Sequence, residues 1–192
     1  KLMDTTITPK EALHHYRDAS QSWLSLRNEQ STAQLRLQAL LLSADKPYNY
    51  AWQVETLREK LEVLEWQISC AANDGLYAQR SVVDACVDNA LSEFMANSGK
   101  ALTSALAPYL NGPFGLDVAA RVLRLALAHY SELNAPELLE SCREILDESG
   151  LSPDASMRMD ASKRFTPAKH KTFQDRLKRL KLAEEAYGFT VS

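Results

Sequence analysis

Apolar residues recur from Ala12 to Leu40 in alternating steps of four and three. Ala12, Tyr16, Ala19, Trp23, Leu26, Gln30, Ala33, Leu37 and Leu40 mark the seam, and Gln30 is its one polar member. This spacing places one face of an α-helix against another helix. Thr8-Pro9-Lys10-Glu11 supplies the start: Thr8 caps, Pro9 suits the first helical position, and Glu11 completes a capping box. The helix should run to about Ser43, a length of roughly 50 Å at 1.5 Å per residue.

Pro47 breaks the pattern within Ser43–Asn49. A second stripe with the same spacing then runs through Tyr50, Val54, Leu57, Leu61, Leu64, Ile68, Ala71, Gly75, Ala78, Val82 and Ala85. Two long helices joined by a short turn are expected to fold back as an antiparallel, coiled-coil-like hairpin over residues 8–98. Asn97-Ser98-Gly99 stops the second helix. Residues 99–192 hold shorter helices. An Ala-rich one spans Lys100 to Leu106 and stops at Pro108, and a loop follows at Asn111–Gly115. Asp117 is expected to cap a helix to about Tyr130, with Val118, Val122, Leu125 and His129 near one face. Asn134-Ala135-Pro136 starts another that ends at Ser149-Gly150. Thr166-Pro167 opens a last helix that reaches Tyr187, before Gly188. No strand alternation competes, so the fold class is all-α, and the chain reads as a single helical domain, 1–192.

Composition agrees, with 45% hydrophobic residues and only 6 Gly and 7 Pro. No apolar run is long enough to span a membrane, and Lys1–Asp4 do not read as a signal peptide. Three widely spaced cysteines, Cys70, Cys86 and Cys142, argue against a disulfide framework and fit a reducing cytoplasm. Net charge is −3 but uneven: Lys163–Lys181 carries eight Lys/Arg against Asp175 alone, leaving 14 Lys/Arg against 24 Asp/Glu elsewhere. An acidic body argues against nucleic acid as a direct partner. No glycine-rich phosphate loop, Cys-x-x-Cys or His-x-x-x-His occurs, and His14 and His15 point to different sides of a helix. No catalytic, metal or cofactor residues are assigned, and the chain is read as a non-enzyme.

Ordered short strings carry a resemblance. They are Ser22-Trp23-Leu24 with Arg27-Asn28-Glu29; Leu57-Arg58, Glu62-Val63 and Trp66-Gln67; Leu91, Phe94, Met95, Gly99, Ala101, Leu102 and Ala105-Leu106-Ala107-Pro108; then Lys163, Phe165-Thr166-Pro167-Ala168, Phe173 and the basic stretch. Across residues 16 to 180 the chain resembles the polarity-suppression (Psu) family of satellite bacteriophages. It departs at the Pro47 turn, from Asn111 to Ser162, and in a longer C-terminal tail. The resemblance implies an intertwined, knotted all-helical homodimer. It implies binding to the bacterial Rho hexamer, suppression of Rho's RNA-dependent ATPase and translocation, and hence transcription past Rho-dependent terminators. It also implies decoration of the phage capsid, which sets the location as the host cytoplasm and the virion surface.

Within that resemblance the expected Rho-binding residues are Phe165, Thr166, Pro167, Glu62, Arg27, Arg164, Lys169 and Arg176. Each has a plainer reading. Arg27 and Glu62 sit one step off the seam, where a solvated face is usual, and Glu62 could pair with Arg58 four residues earlier. Thr166 and Pro167 explain themselves as a helix start. Phe165 precedes that cap without an apolar partner at Lys169 or Lys171, so it packs on the dimer core or inserts into a partner. Trp23 and Trp66 are expected to pack in the core. The basic helix carries only a narrow apolar stripe, Leu177, Leu180 and Ala183, and protein docking is favoured over a solvated face or nucleic-acid binding. The two long stripes exceed what the remaining helices can cover, which again points to a dimer.

Overall fold

The computed structural model describes residues 6–97, 99–112, 114–148 and 167–191. Six helices follow one another: α1 (Pro9–Leu42), α2 (Tyr50–Ala96), α3 (Leu102–Leu110), α4 (Gly115–Ser131), α5 (Pro136–Glu148) and α6 (Pro167–Tyr187). Among the described residues the only extended pairing is an isolated parallel bridge between Lys100 and Thr190. The expected capping box is present in both directions. The Thr8 amide donates to Glu11 Oε2 at 3.1 Å, and the Glu11 amide donates to Thr8 Oγ1 at 3.2 Å. Thr8→Ala is expected to cost about 1 kcal/mol, read as a lower denaturant midpoint with an unchanged slope.

The chain divides into two compact units. The first joins residues 1–12 to 79–192, and the second is 13–78. In the second unit, Ala33 of α1 and Leu57 and Leu64 of α2 form a buried cluster. Leu26, Leu37, Leu40 and Leu61 pack against it, and Lys60 pairs with Glu29 at 3.0 Å. Every position of both stripes is buried or half-buried. Burial of the leucines supplies the driving force, about 25 cal/mol per Å² of apolar area removed from water.

In the first unit α3 packs on α4, α4 on α5, and α6 on both α5 and α3. Leu102, Leu106, Leu123, Tyr130, Leu138, Ile145 and Leu180 are wholly or nearly wholly enclosed. Phe94, from the end of α2, meets Tyr130 and His129 edge-on at 6.0 and 5.6 Å between ring centroids. Arg121 of α4 pairs with Asp84 of α2.

Four local expectations are corrected. Pro108 lies inside α3 rather than ending it. A proline forfeits only its own amide, and here it sits two residues from the helix end, so the last turn still closes. Helix α4 begins at Gly115, with Phe114 in the cap position. Asp117 is therefore in the first turn, and it is buried. Leu125 and His129 face outward while Val118 and Val122 are buried, because the enclosed arc of α4 runs through Ala119, Leu123, Ala126 and Tyr130. Trp66 is 68% exposed. It follows Leu64 by two residues, roughly 200° around a 3.6-residue helix, and so lies on the opposite face.

Candidate functional site

The C-terminal helix has two unlike faces. Phe173, Leu177 and Leu180 are buried in steps of four and three, and the next position in that series is Glu184, which is also fully buried. The sequence series Leu177, Leu180 and Ala183 locates this face but misses Glu184. The signal was the spacing itself, because Phe173, Leu177, Leu180 and Glu184 stand at seam positions even though the last is acidic.

Glu184 acts as a cap for another helix. Helix α3 has Ala101 in its N-cap position, and alanine offers no side-chain acceptor. The Glu184 carboxylate takes that place, accepting the Leu102 amide at 2.5 Å and the Thr103 amide at 3.2 Å. The Tyr130 hydroxyl donates to the same carboxylate at 3.0 Å. First-turn amides and a helix N-terminus favour an acceptor of this kind. Burial nevertheless drives the Glu184 pKa up, and the bonds from Thr103, Tyr130 and Leu102 oppose it. Burial, reinforced by this carboxylate, also raises the Tyr130 hydroxyl and pushes the Cys142 thiol up to about 12. Both therefore stay neutral near pH 7.

The end of α6 is fastened to the same place. Gly188, at φ +109°, is the left-handed residue that closes the helix. The Gly188 amide donates to Glu185 O at 3.1 Å and the Phe189 amide to Glu184 O at 3.0 Å. Beyond it the Ala101 amide donates to Thr190 O at 2.9 Å, and the Thr190 amide to Gly99 O at 2.7 Å. Tyr187 stacks on Phe189 and donates its hydroxyl to Leu133 O at 3.0 Å. The helix is thus held by its inner face and by its end, while Lys171, Lys178, Arg179 and Lys181 stand exposed along the outside.

The expected partner-binding residues fall into separate places. Arg164, Phe165 and Thr166 lie outside the described residues. Pro167 is the first residue of α6, as its fixed φ suits, and Lys169 lies within the first turn. Arg176 is half-buried and donates from Nη1 to Glu144 O of α5 at 3.1 Å. Its neighbour Arg179 reaches Glu144 Oε2 at 3.6 Å. Arg27 and Glu62 are exposed on α1 and α2 of the second unit. The Arg27 guanidinium lies 5.6 Å from the Trp23 ring centroid, a cation–π contact worth about 0.5–1 kcal/mol at an exposed site. Glu62 forms no ion pair with Arg58. In that stretch it is Lys60 that finds an acid, Glu29 across the pair of helices.

These features define an all-α protein whose charged chemistry is laid out along helix faces. The chain belongs to the phage polarity suppression (Psu) family, whose pattern matches residues 9–182. Polarity suppression is the activity for which that family is named. No solved structure matches the chain. Among the described residues no helix is long and apolar enough to cross a membrane.

Proposed function

We propose that this protein suppresses polarity by binding the bacterial Rho hexamer and blocking its RNA-dependent ATPase and translocation. The observation that carries the reading is the family match over residues 9–182. The outward basic face of α6 supports it as a docking surface for an acidic protein partner. Phe165 and Thr166, next to α6 in the sequence, are proposed to contact Rho with it, and Arg27 and Glu62 provide a second contact from the paired helices. The active form is a homodimer in which α1 and α2 make a long coiled-coil-like hairpin and the two chains intertwine. A two-fold dimer presents each patch twice, and two linked contacts raise affinity by about 10²–10⁴ over one.

Purified protein is expected to lower RNA-stimulated ATP hydrolysis by Rho and to co-elute with the hexamer. Replacing Lys178 and Lys181 together by glutamate should weaken inhibition at least about tenfold, which corresponds to 1.4 kcal/mol. Inhibition by the unaltered protein should weaken as salt is raised. Normal hydrolysis at saturating protein, with no co-elution, rejects the reading. Capsid decoration, which also accompanies the family resemblance, is separated by the same sample: capsid binding with Rho activity unaffected would assign the protein that structural role instead.

A further inference from the structure

Helices α3 and α6 border a cavity of about 180 Å³ within the first unit. Gln174, Lys178 and Lys181 line it from α6 in steps of four and three, and Thr103, Ala107 and Leu110 line it from α3 in the same steps. Each set therefore stands on one face of its helix. Leu177 and Val191 complete an apolar wall with Ala107 and Leu110. Thr103, Gln174, Lys178 and Lys181 supply hydrogen-bond donors. Among the described residues neither a carboxylate nor an aromatic ring lines the cavity.

The cations of α6 differ in what they meet. Arg176 and Arg179 turn to α5, where Glu144 receives both. Lys178 and Lys181 stand exposed beside the cavity, and among the described residues neither is paired with a carboxylate. Two like charges three residues apart repel each other on a helix, so α6 alone gives no reason for the pair. Thr103 is 8% exposed. Its Oγ1 is enclosed without a well-formed hydrogen bond, although the hydroxyl lies near enough to Glu184 to favour the charged carboxylate. A buried hydroxyl in that state costs stability, and an acceptor atom brought into the cavity would satisfy it.

We infer that this cavity binds a small phosphate monoester, with the ester group on the apolar wall and the phosphate held by Lys178 and Lys181. Charge selects the class. Near pH 7 a phosphate monoester carries about −1.5 to −2, which matches two ammonium groups, whereas a carboxylate leaves one of them unneutralised. Its three terminal oxygens can also accept from the Gln174 amide and the Thr103 hydroxyl. Lysine serves phosphate well as a compact point charge with rotatable donors. Size selects the ester: an apolar cavity of about 150 Å³ holds benzene, so a group of that bulk fits. The lining offers no aromatic platform for a nucleobase. The two lysines also belong to the outward basic face, and a bound ester would neutralise part of it. Binding of the ester is measured without any partner protein, so it stands or falls apart from the docking role proposed for that face.

An NMR titration of the full chain with phenyl phosphate at low salt should show one saturable site, with a dissociation constant of about 1 mM or below, within reach of a ligand of this size. Inorganic phosphate cannot use the apolar wall and benzoate carries a single charge, so each should bind at least about tenfold more weakly. Lys178→Met and Lys181→Met keep an unbranched stem and remove the charge. Each should weaken phenyl phosphate binding at least about tenfold, with helicity by circular dichroism unchanged. Arg143→Met removes an exposed cation of α5 outside the cavity and should leave the binding unaltered. Absence of a saturable response to phenyl phosphate overturns the proposal. An equal loss from Arg143→Met also overturns it, because the attraction would then belong to the surface charge as a whole. Benzoate binding as tightly as phenyl phosphate would overturn the assignment of a phosphate.

Discussion

Glu184→Ala should lower stability by about 3 kcal/mol, the scale on which stranded buried donors are penalised. Three donors lose their acceptor at once: the Leu102 and Thr103 amides and the Tyr130 hydroxyl. The first turn of α3 then has no cap, since Ala101 cannot provide one. Against a typical total of about 5–15 kcal/mol this loss is large, and it corresponds to a fall of roughly 6–12 °C in Tm for a chain of this size. Thermal unfolding followed by circular dichroism measures it. Glu184→Gln should lose less, because one acceptor oxygen remains. The two forms should also differ in pH dependence. The folded pKa of Glu184 is raised above its unfolded value of about 4.3. The protonated carboxyl therefore contributes stability that is fully present below about pH 4.3 and is lost as pH rises through the folded pKa. The advantage of the natural protein over Glu184→Gln should accordingly shrink as pH rises above about 4.3. A difference that stays flat, or grows with pH, contradicts the raised pKa.

Gly115→Ala should be nearly as damaging for a different reason. A methyl group built at Gly115 would lie 2.7 Å from the Leu110 carbonyl carbon and 2.9 Å from its Cα. The obstacle is backbone, so no side-chain rotation relieves it. The end of α3 and the start of α4 would have to separate, although only residues 111–114 connect them and Phe114 is buried. Overpacking a well-filled site costs about 1–3 kcal/mol, and a backbone clash places this case near the upper end, at about 3 kcal/mol. Gly112→Ala is the control. Its added methyl would stand 3.2 Å from Tyr109 O, a contact that a small shift can absorb. Urea unfolding of the two variants should show a much larger fall in midpoint for Gly115→Ala. Equal effects would mean that the α3–α4 approach is not a rigid constraint.

The long helices were legible because their chemistry is periodic. The stripe through Leu26, Leu37 and Leu40 and the stripe through Leu57 and Leu64 both predicted buried faces, and both are covered. The Thr8 and Glu11 capping box and the proline starts of α5 and α6 were legible because local hydrogen bonding sets them. Contacts between residues distant in the chain were harder to read. Glu184 looks like an ordinary surface acid until α3 is brought to it, and no local pattern names the helix that it caps. Trp66 reads as core by its bulk beside the seam, yet the angle around the helix decides, and that angle turns it outward. Asp117 reads as a cap by its residue type, but the same type also suits the first turn, where α4 places it. Of the proposed contact surface, residues 167–187 were legible as a basic helix, and the structure adds which side of it faces inward.

The bond between Glu184 and Leu102 spans 82 residues, and on the ribosome that separation becomes a waiting time. At about 5–20 residues per second, the N-terminus of α3 leaves the peptidyl-transferase centre about 4–16 s before its cap has been made. During that interval α3 exists as an uncapped nine-residue segment, well below the roughly 12–15 residues at which isolated helices become even marginally stable. The first unit therefore completes only after its last helix is synthesised. A messenger truncated before the codon for Glu184 would yield a chain that keeps the paired stripes of α1 and α2 but never closes the layer built by α3, α4, α5 and α6.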